Sequence, residues 1–317
     1  MKRNHMAASS ALVRTCLFNG ARPGPRLIVL GAVHGNETCG TIAIERVVKE
    51  LIARELEIIA GQLTLVPVTN RLAYERGTRN GDRNLNRKLR PTATPQDNED
   101  RIANELCPLL ATHDVLLDLH SFGSASAAFV LLGPENNTGD LEPFEYASEE
   151  EALAERLGVS RAVDGWLATN AAGARWRGGS AGYGGGTTDY MRSVGGYGVT
   201  LECGQHTDPG APEVAYRAIR RTLAHLRLID AEAPELKSEI EMLRICEVIE
   251  YASANDRFAR EWNSFDPLRR GDVVGYRACG APVMAPEDGF IVFPNAKTNP
   301  GTEWFYFARR HPRLSKL

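Results

Sequence analysis

The chain has 317 residues, 43% of them hydrophobic and 24% charged, with a formal charge of -3. Such a chain is long enough for two domains, or for one large domain with an appendage, and its balanced charge argues against a dedicated nucleic-acid binder. Six scattered cysteines without a Cys-x-x-Cys pair suggest neither a thiolate zinc site nor a disulfide framework, and a reducing cytoplasm fits best.

The first segment, MKRNHMAASSALVRTCLF, is basic but lacks a sustained apolar stretch, so no leader is expected. No window approaches the roughly 20 apolar residues of a membrane span. From Leu27 to Val33 an aliphatic run predicts a buried parallel strand, which carries the chain into His34 and Glu37. Residues Thr41 to Glu57 set Ile42, Ile44, Val47, Val48, Leu51 and Ile52 at mostly helical spacing, and Leu63 to Val68 is the next strand. Residues 69 to 98 then lose periodicity and carry six arginines between Arg71 and Arg90. Long irregular segments inside compact domains tend to be functional.

Helical spacing returns from Glu99 to Leu110, and Val115 to Leu119 is a strand leading into His120 and Ser121. A further strand is expected at 127–132 and an acidic loop at 133–150. The glycine-rich stretch 178–186 has no spacing of a phosphate-cradling loop, so it suggests mobility or tight packing. Tyr197 to Cys203 is a strand with Glu202 near its end, followed by a helix from Glu213 to Ile229. Beyond a linker, EAPELKSE, the pattern turns to short strands with turn signals. The expected organisation is a catalytic α/β domain over 1–232 and a small β-rich domain over 233–317.

His34, Glu37 and His120 share one chemical capacity. Two imidazoles and one carboxylate form a known ligand set for catalytic zinc, with a position left for water. Hydrolysis is the natural reaction of such a centre. It needs a carboxylate to move a proton, for which Glu202 is best placed, and positive charge for an oxyanion, which Arg79, Arg83, Arg87 and Arg192 could supply. Each feature alone has a plainer explanation, since loop histidines and helix-start glutamates are common and arginine runs usually face solvent. Cys39 and Cys203 flank the site, where packing suits them better than nucleophilic attack.

Four motifs occur in order: GAVHGNETCG, RNLNR at 83–87, LDLHS at 117–121 and LECG at 201–204. Together they resemble the succinylglutamate desuccinylase and aspartoacylase family of zinc-dependent deacylases, relatives of the zinc carboxypeptidases. The resemblance implies a three-layer α/β/α fold with a mixed, largely parallel sheet and a barrel-like C-terminal domain. It implies His34, Glu37 and His120 as zinc ligands and Glu202 as general base. It further implies Arg79 beside the polarised carbonyl, Asn86 and Arg87 on a substrate carboxylate, and Arg192 on a second carboxylate. Tyr306, with Glu303, resembles a loosely matching pair that closes the aspartoacylase site. One departure is Thr188, where aspartoacylases carry a substrate-contacting tyrosine. The implied substrate is a small N-acyl carboxylate, with neither nucleic acid nor membrane as partner and homo-oligomers left open. A carboxypeptidase acting on peptides and an inactive small-molecule binding protein are the alternatives.

Overall fold

The computed structural model describes residues 11–176, 185–236 and 239–314. Its first half runs β1 (Cys16–Asn19), β2 (Arg22–Leu30), α1 (Cys39–Ile52), β3 (Ala60–Val66), α2 (Arg71–Arg76), α3 (Asn98–Leu110) and β4 (Val115–Phe122). There follow β5 (Phe129–Leu131), α4 (Ala147–Ala154), β6 (Arg161–Asp164), α5 (Trp166–Trp176), α6 (Thr187–Ser193), β7 (Tyr197–Gln205) and α7 (Ala211–His225). The remainder is all strand: β8 (Glu241–Tyr251), β9 (Arg257–Phe258), β10 (Pro267–Leu268), β11 (Val273–Tyr276), β12 (Pro282–Met284), β13 (Gly289–Val292) and β14 (Thr302–Arg310).

Strands β3, β2, β4 and β7 lie side by side and parallel, and β1 closes the edge antiparallel to β3. Alternate side chains of a strand point to opposite faces, and the core divides accordingly. Leu27, Val29, Leu117 and Leu119 join a cluster with Ile44 and Val47 of α1 and Ile219 and Leu223 of α7. Ile28, Leu30 and Leu116 join the other, with Ile102 and Leu106 of α3 and Met191 of α6. The result is three layers, α/β/α, with a mixed and largely parallel sheet. Both faces of the central strands are covered, so their buried stretches, such as Leu27 to Leu30 and Val115 to Leu117, are apolar.

Helix α1 buries Ala43, Ile44, Val47 and Leu51, an i, i+4, i+8 stripe with one extra position, while Ile42 and Ile52 face solvent at 50% and 72% exposure. The apolar spacing in the sequence was therefore broader than the buried stripe. The expected loop at 133–150 ends in α4, whose apolar residues form almost no one-sided face. Strand β6 and helix α5 went unpredicted, the first too short and the second too rich in alanine to show a period. Of the glycine-rich stretch, only 185 and 186 fall within the described residues.

The C-terminal strands begin where the composition shifts, and they extend the main sheet. Strand β8 pairs parallel to β6 and antiparallel to β14, which continues through β13 to β10. A separate sheet of β12, β11 and β9 packs at their far side around Trp304. This continuity makes β14 part of the same sheet as the parallel strands.

Candidate active site

The turn after β2 carries the first two site residues. It is a tight turn: Ala32 adopts a left-handed φ of 45°, and a Cβ on Gly35 would stand 2.0 Å from the backbone of Ala73. Only glycine permits that approach. Glu37 N–H donates to the His34 carbonyl at 3.2 Å, so the two side chains face one another across a single turn ahead of α1. Asp118 and His120 alternate with buried leucines along β4 and so share the face towards α3 and α6. In the parallel β4–β7 ladder His120 stands in register with Glu202. Sheet pairing alone thus sets the general-base candidate next to a ligand candidate.

His34, Glu37 and His120 offer ligand atoms all within 4.8 Å of one another, and each residue is buried. His120 Nδ1 lies 2.8 Å from Glu37 Oε2, while its Nε2 lies 2.9 Å from Asp118 Oδ2. His34 Nδ1 is 2.9 Å from Glu37 Oε1 without a hydrogen bond, and its Nε2 contacts Asn84 Oδ1 at 3.0 Å. Each imidazole therefore turns Nδ1 to the shared carboxylate and has its other nitrogen held by an oxygen. That is how metal-bound histidines are oriented. The buried carboxylates Glu37 and Asp118, with an orphaned imidazole nitrogen between ligand candidates, fit a cation. Among the described residues this is the cluster suited to hold a metal ion.

The electrostatics agree. Burial, reinforced by Arg79, pulls the His34 pKa down to about 4, which leaves the neutral, lone-pair-bearing imidazole. Burial opposes ionisation of Glu37, but His34 and His120 outweigh it and hold the carboxyl well below its usual range. His120 moves the other way: burial disfavours its charge, yet Asp118 and Glu37 raise it well above the ordinary histidine value. A proton there answers the same negative charge that a metal would. Burial pushes Glu202 up to about 8, with Glu37 and Asp118 acting in the same direction and His120 and Arg79 against it. Its Oε2 is buried without a hydrogen-bond partner among the described residues, so it holds proton-accepting capacity in reserve.

The irregular segment between α2 and α3 is gathered at its start around Glu99. Glu99, fully buried, accepts from the backbone N–H groups of Gly81, Asp82 and Arg83, each at 3.1 Å, and from Asn70 Nδ2 at 2.8 Å. Arg83 pairs with Asp97 and Asp100, both at 2.8 Å, so its charge serves the loop. Arg79 instead reaches the cluster, donating to Glu37 Oε1 at 2.7 Å from a half-exposed position. Asn86 accepts from Thr187 N–H at 2.8 Å through Oδ1, which leaves its amide N–H groups for another acceptor. Arg87 donates to the Asn86 carbonyl and lies 3.7 Å from Glu303.

A cavity of about 1930 Å³ joins these groups: His34, Arg79, Asn86, Arg87, His120, Thr188, Glu202, Glu303 and Tyr306 all line it. Tyr306, on β14, packs at a tilt against Trp166 with centroids 4.6 Å apart and donates to Asn170 at 3.2 Å. The C-terminal strands thus supply part of the cavity wall. Arg192 also borders the cavity but is turned inward, its side chain only 3% exposed. It pairs with Glu150 at 2.7 Å, Glu142 at 2.8 Å and Asp189 at 3.3 Å, and donates to the Gly198 carbonyl. Its charge is already answered, foremost by the fully buried Glu150, with Glu142 and Asp189 beside it. Removing one partner from such a buried network costs roughly 3–5 kcal/mol, so Arg192→Met should lower the free energy of unfolding, read from chemical denaturation, by that amount. A variant of unchanged stability and a raised KM would return Arg192 to the substrate.

Asp118, Asn84, Thr187, Ser121 and His206 were not singled out from the sequence. Ser121 N–H donates to Glu37 Oε2 at 3.1 Å, and its hydroxyl contacts His206 Nδ1 at 2.8 Å. The alternation in LDLHS was a signal for Asp118, because residues two apart on a strand share a face. Cys39 donates to the His120 carbonyl at 3.3 Å, and burial keeps Cys203 protonated by raising its pKa well above the ordinary thiol value, in keeping with packing roles.

Fold and site together define an α/β domain of the hydrolase kind, with its polar cluster at the carboxyl ends of parallel strands. The chain belongs to the succinylglutamate desuccinylase/aspartoacylase family of deacylases: residues 23–229 match the family's catalytic-domain model. No curated protein matches the sequence. Among solved structures, the product-bound ectoine utilization protein EutE (DoeB) of Ruegeria pomeroyi aligns with a TM-score of 0.71 and 20% identity, covering 93% of this chain and 88% of that one. The succinylglutamate desuccinylase/aspartoacylase of Rhodobacter sphaeroides aligns at 0.70 with 18% identity, covering 94% and 90%. The succinylglutamate desuccinylase of Vibrio cholerae aligns at 0.67 with 18% identity, covering 90% and 82%. At these identities the likeness establishes the fold. No helix among the described residues is long and apolar enough to cross a membrane.

Proposed function

We propose that the chain is a zinc-dependent amidohydrolase that removes the acyl group from a small, carboxylate-bearing N-acyl amino acid or a related compound. The observation that carries this reading is the register of Glu202 against His120, beside a buried His34, Glu37 and His120 cluster. His34 and His120 would hold zinc through Nδ1 and Glu37 through its carboxylate. Zinc bound there supplies a Lewis acid that acidifies water and polarises the acyl carbonyl. Glu202 takes the proton of the attacking water and delivers it to the amide nitrogen as the C–N bond breaks. Arg79 donates to the oxygen on which negative charge develops. Asn86 and Arg87 hold the substrate carboxylate, the arginine by its forked donors.

Tyr306 and Glu303 contribute wall on the far side of the cavity, from the 233–317 domain. Arg192 is assigned to structure, since its charge is already answered. All six cysteines are free, in keeping with a cytoplasmic setting. One structural relative is an ectoine utilization protein, which is in keeping with small-molecule substrates. The cavity exceeds the several hundred cubic ångströms typical of small-ligand sites, and this favours the second reading, a carboxypeptidase acting on peptides. A hydrolysis screen of N-acetyl, N-succinyl and longer acyl amino acids against short peptides separates the two. Release of free amine from the acyl amino acids alone is expected. Cleavage confined to peptides would favour the peptidase, and binding without turnover of any compound would leave a binding protein.

A further inference from the structure

We propose that Thr187 is a positioning residue that couples the metal-holding side of the site to the substrate-holding side. The proposal rests on the zinc hydrolase reading above. Thr187 is fully buried at the start of α6 and makes two bonds in opposite directions. Its hydroxyl donates to Asp118 Oδ2 at 2.5 Å, the same oxygen that faces His120 Nε2 at 2.9 Å. Its backbone N–H donates to Asn86 Oδ1 at 2.8 Å.

Asp118 needs this donor. Its Oδ1 is buried without a hydrogen-bond partner among the described residues, so Oδ2 carries the compensation for a wholly buried carboxylate. With the Thr187 hydroxyl gone, Asp118 would keep only His120 and would be free to swing, and the His120 ring would lose the fixed acceptor that points Nδ1 at the shared carboxylate. Such outer groups typically govern roughly 10–100-fold in metal affinity or activity. The other bond acts on the substrate. Because Asn86 spends its oxygen on Thr187 N–H, its amide donors are aimed elsewhere, and the orientation suits a carboxylate. Gly186 keeps that contact close, since a Cβ there would stand 2.1 Å from Asn86 Oδ1.

Two variants separate the two arms. Thr187→Val preserves the shape and the backbone N–H and removes only the hydroxyl. It should weaken zinc binding, read by competition with a chromophoric chelator, about 10–100-fold and lower kcat, with KM little changed. Thr187→Ser should restore both. Gly186→Ala should raise KM while zinc affinity stays at the wild-type value. Thermal unfolding of the metal-free proteins controls for a general loss of fold. Zinc affinity and kcat in Thr187→Val equal to wild type, or a Thr187→Ser variant no better than Thr187→Val, would overturn the proposal. Wild-type protein that binds no zinc would instead fail the reading beneath it.

Discussion

Replacing Glu202 by Gln should lower turnover by roughly 10²–10⁴-fold, the usual contribution of a positioned general acid–base group, while the protein retains its metal. Glutamine keeps the shape of the side chain but can neither accept the proton of water nor return it to the amine. The setting of Glu202 makes the expectation sharp. Its carboxyl is buried, is raised to about 8 chiefly by that burial, and keeps Oε2 without a hydrogen-bond partner among the described residues. A group tuned to that range gives up and takes back a proton near neutral pH. Metal content measured beside kcat checks the assignment. If the variant loses its metal, Glu202 is a ligand and the division of labour drawn here fails.

Arg79→Ala is the second large effect. Loss of one donor to a developing oxyanion costs roughly 2.7–4 kcal/mol in comparable sites, a fall of about 10²–10³-fold in kcat. Arg79 is the arginine of the irregular segment that donates to Glu37, at 2.7 Å, whereas Arg83 is consumed by Asp97 and Asp100. Half-exposed as it is, Arg79 contributes little to folding, so the free energy of unfolding should stay within about 1 kcal/mol of wild type. Arg79→Lys should recover only part of the rate, because a point charge lacks the planar fork. Turnover retained in Arg79→Ala at full metal occupancy would remove this residue from the mechanism.

The ligand candidates were legible because each stands where an apolar strand pattern stops, and that break is local in sequence. Glu202 was legible for the same reason, and the β4–β7 register explains why two residues far apart in the chain meet. The parts that escaped depend on distance in sequence. Thr187 follows an aperiodic glycine-rich stretch, and its partner Asp118 lies 69 positions earlier. Arg192 holds the spacing from Glu202 that the family resemblance called for. Its acids, Glu142 and Glu150, come from a segment 42 to 50 positions away that carried no helical signal. The C-terminal strands were recognised as strands, but turn signals cannot tell whether such strands form their own barrel or prolong a neighbouring sheet. Here β8 pairs with β6, and Tyr306 reaches the cavity as a consequence.

The central claim is that hydrolysis depends on a zinc ion held by His34, Glu37 and His120. Metal content and hydrolysis of an N-acyl amino acid, measured on the same sample before chelation, after it and after zinc is restored, test this most directly. The expected result is one zinc per chain, turnover lost with the metal and regained with it, and neither zinc nor turnover in His120→Ala. Full turnover in protein stripped of metal would contradict the account.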